Sequence, residues 1–178
     1  MVRAGANGVT PTIFLIDFGL AWQFRDPATY LHTPFTMKHS VIGTLPFTSV
    51  NGQQGYAQSR RDDLESLAYT IIFLARGYLP WSSHPICRDH KAVLQKKVSI
   101  TAEELCEDLP PPFSKFVIYI RSLGFNKEPD YEHLQTILSY CLETETGQLS
   151  KAPPSESTPP SLSENSTHSA SVAGSDRV

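Results

Sequence analysis

The stretch from Arg60 to Arg76 constrains the fold of this chain most, because it carries the signals of a complete helix. Ser59 can cap its start, and acidic residues in the first turns favour the positive end of the helix dipole: Asp62, Asp63 and Glu65. Apolar residues then recur at helical spacing, with others between them, and Gly77 ends the pattern. A helix that is apolar on most sides is predicted to lie at the centre of its domain.

Four later stretches also carry helical patterns. Apolar residues recur at helical spacing in Pro112–Leu123 and Pro129–Leu142, and shorter helices are predicted at about Asp89–Lys97 and Thr101–Cys106. The Cys87–His90 segment contains an Arg-Asp pair, which we interpret as a helix start. These helices predict a mainly α fold.

The beginning of the chain predicts one small β-hairpin. Thr12–Ile16 is short, β-branched and aromatic, which is typical of a strand. An Asn-Gly pair lies just before it, within Gly5–Gly8, and Val2–Ala4 is a candidate partner strand. We interpret Gly5–Gly8 as the hairpin turn rather than as a phosphate-binding loop.

The segment from Asp17 to Tyr56 is predicted to be a long loop of about 40 residues, because it has no sustained period and several glycines and prolines. Structureless loops of this length are rare in compact domains unless they carry function. The candidate functional segment therefore lies here.

Composition changes abruptly near Gly147. From Lys151 to Val178 the residues are mostly Ser, Thr, Pro and small side chains, with few sizeable aliphatics. Such a stretch buries too little apolar area to offset the entropy of ordering it. We predict a folded domain over residues 1–149 and a disordered tail over residues 150–178.

Charge and cysteine content exclude several classes of protein. The net charge is −3, so no basic field exists to hold nucleic acid or an anionic membrane. The apolar stretches Ile13–Ile16 and Ile71–Ala75 fall far short of the ~20 residues of a membrane span. Cys87, Cys106 and Cys141 are odd in number and lack metal-type spacing, which predicts reduced thiols. We expect a cytoplasmic or nuclear protein with protein partners, and its oligomeric state stays open.

A strand that ends in Asp17-Phe18-Gly19 and opens a long loop resembles the metal-binding end of a protein kinase. In that chemistry Asp17 would hold Mg²⁺ between phosphates, Phe18 would pack into the core and Gly19 would permit the turn. An ordinary strand-to-turn exit would use similar residues, so the tripeptide alone is a weak signal.

Further motifs strengthen the resemblance. In chain order they are Asp17–Ala21, Gly43-Thr44, Asn51, Gln58–Leu67, Gly77 and Leu79–Trp81. Similar words in this order occur in the casein kinase I family of serine/threonine kinases, and the resemblance covers about residues 1–142. It implies a protein-kinase-like C-terminal lobe, in which residues 17–51 are the activation segment.

The resemblance also implies structural roles at the head of the central helix. Asp63 would hold the backbone of the catalytic loop, and the activation segment would contain Gly43 and Thr44. From the residues themselves we expect Arg60 and Arg61 to bridge to Asp62, Glu65 or that segment. The alternative is that Asp63 and its neighbour Asp62 are only helix-start charges.

Family members need more for phosphoryl transfer than this chain contains. A glycine-rich loop, a lysine with its glutamate partner and a catalytic loop precede the Asp-Phe-Gly motif in the family. The sixteen residues before Asp17 contain no lysine, no His-Arg-Asp and no Gly-x-Gly-x-x-Gly. The chain resembles a kinase cut just downstream of its catalytic loop. We expect Mg-ATP to serve the complete family, and this chain to bind it weakly and to catalyse nothing alone.

The activation segment departs from the family at three cationic positions, where this chain has Thr36, His39 and Pro46. The family uses these cations to grip acidic or previously phosphorylated substrates. Their loss predicts a changed substrate preference, which Lys38 would offset only partly.

A second interpretation is a non-catalytic, pseudokinase-type binding module. A helical lobe without its upper partner would expose apolar surface around Ile13–Phe18 and Trp22, and such surface favours association with other proteins.

Overall fold

In the described residues the architecture consists of a short N-terminal hairpin followed along the chain by six helices. A computed structural model of the chain describes residues 2–3, 12–37, 41, 43–83 and 86–149, with backbone alone for residues 2–3, 12 and 143–149. The elements are β1 Val2–Arg3, β2 Thr12–Ile13, α1 Val50–Gln53, α2 Arg60–Arg76, α3 His90–Ser99, α4 Ala102–Leu105, α5 Pro112–Ser122 and α6 Tyr131–Leu149, with short 3₁₀ turns at Phe18–Leu20 and Ile86–Arg88. The mainly α prediction is confirmed.

The predicted hairpin is present but shorter than expected. β1 and β2 pair antiparallel, with Val2 opposite Ile13 and Arg3 opposite Thr12. The Gly5–Gly8 turn lies outside the described residues, as does the predicted tail from residue 150 onward.

Helix α2 begins and ends where the sequence predicts. Its N-cap is Ser59, whose backbone N–H donates a 2.9 Å hydrogen bond to Asp62 Oδ2. Gly77 ends it in the left-handed conformation with φ 79°, and its N–H bonds back to Phe73 O. Local capping chemistry is therefore sufficient to define this helix.

Helix α2, predicted to be central, is buried on one side and exposed on another. Tyr69 and Ile72 are fully buried, whereas Leu67 is 44% and Leu74 is 76% exposed. Helix α5 packs on the buried side, and no described residue covers the opposite side. Apolar composition alone does not reveal which faces of a helix have a neighbour.

One hydrophobic core joins α2 to the helices that follow it. Its largest fully buried side chains include Tyr69, Trp81, Phe116, Ile72 and Leu105. Trp81 meets Tyr69 edge to face, with ring centroids 4.9 Å apart. Full burial of such side chains stabilises the fold by about 1.5–3 kcal/mol each. This core provides the rigid base on which the loop before α2 rests.

The remaining helices agree with the sequence to within a few residues, except that α6 continues to Leu149. Asp89 caps α3 by accepting from the amides of Lys91 and Ala92, so the Cys87–His90 segment is a helix start as predicted. Within the described residues, no helix combines the length and the apolar character needed to cross a membrane.

The predicted loop from Asp17 to Tyr56 is partly regular. It contains the 3₁₀ turn Phe18–Leu20 and helix α1, which is capped by Ser49 through a 3.0 Å bond from Gly52 N. A four-residue helix is too short for a hydrophobic period to predict.

Candidate functional site

The Asp17 turn, residues 17–20, follows β2 and begins with a constrained backbone. Asp17 has φ 64° and ψ 72°, in the left-handed region that aspartate tolerates better than most residues. Its Oδ1 accepts a 3.3 Å hydrogen bond from Gly19 N. A Cβ at Gly19 would stand only 3.2 Å from that oxygen, so glycine leaves the carboxylate uncrowded.

Phe18 does not pack into the core in this chain, contrary to what the resemblance implies. Its ring is 65% exposed, and the flanking apolar side chains from Ile13 to Trp22 are exposed as well. The Phe18 ring therefore lies at the surface of the described part of the chain.

The described residues around Asp17 offer few ligands for a metal ion. Asp17 is exposed and offers one carboxylate, the ligand type that Mg²⁺ prefers. Within the described part of the chain, no group of three His, Cys, Asp or Glu side chains is close enough to hold a metal. The described residues therefore supply one ligand and not a complete site.

A tight turn follows at residues 25–32. Asp26 accepts hydrogen bonds from the amides of Ala28, at 2.9 Å, and Thr29, at 2.7 Å, which lower the pKa of its carboxyl. Arg25 and His32 then pair in an antiparallel bridge. The segment returns on itself at this point, so that residues after His32 run toward α2.

An aromatic cluster holds this part of the segment against the domain. Its members are Phe24, His32, Phe35, Tyr56 and Phe125, with neighbouring ring centroids 4.7 to 5.7 Å apart.

Two arginines from the first turn of α2 stack on this aromatic cluster. The Arg60 guanidinium lies 4.6 Å from the Phe24 centroid, and that of Arg61 lies 5.7 Å from Phe35. Such cation–π contacts contribute about 0.5–1 kcal/mol each at exposed sites. The head of α2 and the loop are thereby joined.

The 44–48 turn, residues Thr44–Thr48, is the second ordered part of the segment. The amides of Phe47 and Thr48 both donate to Thr44 O, at 2.9 and 3.1 Å. Gly43 precedes the turn with φ 101°, a conformation that side chains strain to adopt. A Cβ there would also stand 3.2 Å from Thr48 Oγ1, so glycine is required twice over.

Two side chains from the core bind the backbone of the 44–48 turn. Trp81 Nε1 donates to Pro46 O at 2.9 Å. Lys97 Nζ donates to Leu45 O at 2.8 Å and to Thr48 O at 2.7 Å. The turn is therefore held from beneath, while Gly43 and Thr44 remain exposed.

A buried polar junction links the end of the segment to α2. Ser49 Oγ donates to Asp62 Oδ1 at 2.8 Å, and the other oxygen of Asp62 caps the helix through Ser59 N. Asp62 and Ser49 are both fully buried. Asp62 is thus a structural acid with a defined partner on each oxygen.

Asp63, the residue singled out by the resemblance, has a different environment. It is exposed, and no described residue donates a hydrogen bond to its carboxylate. Desolvation by nearby protein atoms, reinforced by the negative charge of Asp62, raises the pKa of the Asp63 carboxyl. Its predicted role toward a catalytic loop stays a prediction.

Comparison with known proteins agrees with the motifs. No protein-family model matches the chain. It is 41% identical over 128 residues to casein kinase I homolog 2 of Schizosaccharomyces pombe, and 37% identical over 143 residues to casein kinase I homolog 3 of the same yeast. It is 38% identical over 133 residues to a probable casein kinase I homolog of Encephalitozoon cuniculi. These alignments cover 70%, 76% and 73% of the chain.

The chain is casein kinase I-like. It spans 29%, 33% and 44% of the lengths of these three relatives. The mainly helical described part is consistent with the C-terminal lobe of a kinase, which the resemblance implies.

Five of the predicted site residues of the casein kinase I-like chain lie on two separate turns. Asp17, Phe18 and Gly19 form the exposed Asp17 turn, whereas Gly43 and Thr44 begin the 44–48 turn. Arg61 lies near both an acid and the segment. Its Nε lies 3.6 Å from Asp62 Oδ2, and its guanidinium stacks on the aromatic cluster.

Sequence reasoning missed Lys97 and Ser49, which turn out to be central. Lys97 lies on the same face of α3 as Val93, and this spacing was an available signal that the lysine points inward. Ser49 carries no such signal, because its partner is thirteen residues away and is brought near only by the fold.

A pocket of about 250 Å³ opens between α1, α2, α3 and α5, with Arg61, Arg121, Lys97 and Glu65 among its walls. Its arginines are already bound to helix ends, because Arg121 donates to Ile100 O at 2.7 Å and Arg61 to Leu123 O at 3.3 Å. We interpret these cations as structural caps.

Proposed function

We propose that this chain forms the substrate-facing part of a casein kinase I-like serine/threonine kinase domain. In this proposal the complete domain transfers the γ-phosphoryl group of ATP to serine or threonine hydroxyls of protein substrates. The observation that carries it is the arrangement of the segment along the chain. An exposed Asp17 carboxylate lies on a turn that contains Gly19, and the loop that follows is bound to α2 at several points.

Bound Mg-ATP would supply the phosphoryl donor and the charge that neutralises its phosphates. The role proposed for this chain is narrower. Asp17 would contribute one oxygen ligand, and the 44–48 turn would lie beneath the substrate peptide. The buried junction at Asp62 would keep the end of the segment near Ser49 in a fixed relation to α2.

Alone, the chain is proposed to be inactive. Its 178 residues contain no glycine-rich loop ahead of Asp17 and no His-Arg-Asp sequence. One exposed carboxylate does not hold Mg-ATP without further ligands.

The test is a chimera with an established relative. The 128 aligned residues of the Schizosaccharomyces pombe homolog 2 are replaced by the matching segment of this chain, and transfer of labelled γ-phosphate to casein is measured. We expect the chimera to phosphorylate casein and the isolated chain to show no transfer above background.

The unmodified yeast protein is the control for assay and expression. A chimera that is monomeric and gives a cooperative thermal transition, yet transfers no phosphate, would contradict the proposal. Robust transfer by the isolated chain would contradict the inactivity.

The changed substrate preference is the finer part of the proposal. Thr36 and Pro46 stand where family members have cations, and Pro46 also uses its carbonyl to accept from Trp81. Peptide pairs that differ only in a phosphoserine before the target test this in the chimera. We expect similar kcat/KM for both peptides, and a gain for the phosphorylated one in Pro46→Arg.

Pro34→Arg is the matched control, since Pro34 is exposed in the same segment. If the chimera strongly prefers the phosphorylated peptide before Pro46 is substituted, the proposed change of substrate preference is refuted.

A second candidate function is non-catalytic binding of a protein partner. The observation that favours it is an apolar strip, consisting of Ile13–Ile16, Phe18, Leu20 and Trp22, whose side chains are 53% to 82% exposed. Monomeric soluble proteins rarely expose contiguous apolar surface of this kind without a binding role.

Sedimentation velocity and binding of a hydrophobic dye test the apolar strip. We expect the double variant Leu15→Ser/Leu20→Ser to bind less dye and to sediment as a smaller species. Val98→Ser, at a residue that is 62% exposed on α3, is the control. Equal behaviour of all three chains, each monomeric, would exclude the strip as a binding surface.

A further inference from the structure

We infer that Lys97 is a positioning residue for substrate recognition, because its buried ammonium group sets the conformation of the 44–48 turn. The inference rests on the proposed function in one respect, namely that this turn faces the substrate. The geometry of the lysine is independent of that function.

All hydrogen bonds of the ammonium go to one part of the chain. Nζ donates to Leu45 O at 2.8 Å, to Thr48 O at 2.7 Å and to Gln53 Oε1 at 3.1 Å. These acceptors belong to the turn and to α1, whereas the lysine itself lies on α3. An ammonium has three donor protons, so this arrangement uses every one.

Gln53 extends the connection back to α3. Its Nε2 donates to His90 O at 2.7 Å, at the start of the helix that carries Lys97. The amide therefore bridges the two ends of α3 to the segment. A hydrophobic residue at position 97 would leave three oxygens without a donor, because the site is closed to solvent.

The site is nearly dry. Lys97 is 1% exposed, and its Nζ lies 5.4 Å from the ring centroids of both Tyr69 and Trp81, each fully buried. The same Trp81 donates to Pro46 O, so the indole contacts the ammonium on one side and the turn on the other. One aromatic residue and one cation thus bind the backbone carbonyls of Leu45, Pro46 and Thr48.

Charges around the ammonium come from two helices. Glu65 on α2 favours the protonated lysine, and Arg121 on α5 lines the same pocket. Tyr69 on α2 is neutral in the physiological range, since burial raises the pKa of its hydroxyl well above 10. Burial lowers the pKa of Lys97 to about 8, with Glu65 opposing that change. Loss of the proton would remove one donor from the site.

The experiment compares Lys97→Met and Lys97→Arg with the control Lys96→Met, whose residue is exposed on the same helix. All chains carry Trp22→Phe, so that Trp81 is the only indole. Amide hydrogen exchange at Phe47 and Thr48 reports the turn, because both amides donate to Thr44 O. Trp81 emission as a function of pH reports the ammonium.

With Lys97 present we expect an emission transition with a midpoint near pH 8. In Lys97→Met this transition should be absent, and exchange at Phe47 and Thr48 should rise at least about tenfold while amides of α5 change little. Lys97→Arg should retain part of the protection without the transition, because a guanidinium stays charged. Lys96→Met should match the parent.

Unchanged exchange at Phe47 and Thr48 in Lys97→Met would overturn the inference. If that variant does not fold, Lys97→Arg decides, and exchange at Phe47 and Thr48 identical to that of the parent would overturn the inference as well.

The effect on substrate is measured in the chimera with homolog 2. Lys97→Met there should raise KM for a casein-derived peptide more than it lowers kcat, as expected for a residue that acts on substrate through the turn. A rise in KM that is no larger than the fall in kcat would count against a positioning role for Lys97. The proposed function fails separately, because an inactive chimera leaves the exchange and emission results on the isolated chain unaffected.

Discussion

The hydroxyl of Ser49 donates a 2.8 Å hydrogen bond to Oδ1 of Asp62, and both side chains are fully buried. Because Ser49 also caps α1 and Asp62 caps α2, one contact fixes the angle between the end of the loop and the central helix. A buried carboxylate is retained only where its oxygens are satisfied. The junction is therefore expected to be sensitive to loss of either partner.

Asp62→Ala is predicted to lower the free energy of unfolding by about 3 kcal/mol, because it leaves two buried donors without an acceptor. Ser49→Ala removes the donor to Asp62 Oδ1 and the acceptor of Gly52 N, and should cost about 2 kcal/mol. Urea unfolding followed by far-UV circular dichroism measures both. Asp63→Ala is the matched control and should change the value by no more than about 0.5 kcal/mol, since that side chain is exposed. A larger loss at Asp63 than at Asp62 would contradict this account of the junction.

Glu65→Gln is predicted to flatten part of the pH dependence of stability. Burial raises the pKa of Glu65 above 4.5, while its Oε1 accepts from Val50 N and from the Tyr69 hydroxyl. Just above pH 4.5 the folded state therefore binds more protons than the unfolded state, which stabilises the fold. This stabilisation is lost as pH rises through the raised pKa of Glu65.

Glutamine keeps the acceptor but does not titrate, so the parent should lose stability relative to Glu65→Gln as pH rises from 4.5 through the raised pKa of Glu65. Urea midpoints at several pH values measure the difference. Glu132→Gln, at an exposed position of α6, serves as the control. Parallel curves for parent and Glu65→Gln would show that burial of this carboxyl has no linkage to folding.

The three thiols are predicted to react at very different rates. Cys106 and Cys141 are buried and Cys87 is half-buried, and none forms a disulfide. Burial raises the pKa of Cys106 to about 12, which leaves almost no thiolate at neutral pH. A chromogenic disulfide reagent should modify one thiol per native chain rapidly and all three in urea. Rapid modification of two or more thiols in the folded chain would contradict the described core.

Phe125→Ala is predicted to loosen the loop before α2 without unfolding the domain. The Phe125 ring contacts His32 and Phe35, with centroids 4.7 and 4.9 Å away, and carries the Arg61 guanidinium on its face. Tryptic cleavage after Arg25 should become several-fold faster, because local opening controls proteolysis of a folded chain. Tyr131→Ala, an exposed aromatic residue on α6, is the control. Unchanged cleavage would mean that the aromatic cluster does not hold the loop.

Much of the helical fold could be predicted because its signals are local. The start and end of α2 follow from Ser59, Asp62 and Gly77, all within or next to the helix. The exposure of Leu74 could not be predicted, because it depends on which other elements cover the helix. The same contrast holds for the candidate site. The Asp17 turn can be recognised from a local sequence motif, whereas Lys97 binds carbonyls that lie about fifty residues away along the chain.

The two adjacent acids of α2 illustrate the limit most clearly. Sequence similarity drew attention to Asp63, yet the fold buries Asp62 and gives it both partners. One residue of displacement turns a helical side chain by about 100°, so neighbouring positions of equal charge have different environments. Only the packing of Ser49 against the helix distinguishes them.

The rate of casein phosphorylation by the chimera, compared with its Asp17→Asn variant, tests the central claim most directly. Asp26→Asn is the control, because Asp26 is an exposed aspartate in the same segment that bonds only within its own turn. The account predicts an active chimera, a loss of about 100-fold or more in kcat for Asp17→Asn, and little change for Asp26→Asn. An Asp17→Asn chimera as active as its parent would contradict the role of this turn in phosphoryl transfer.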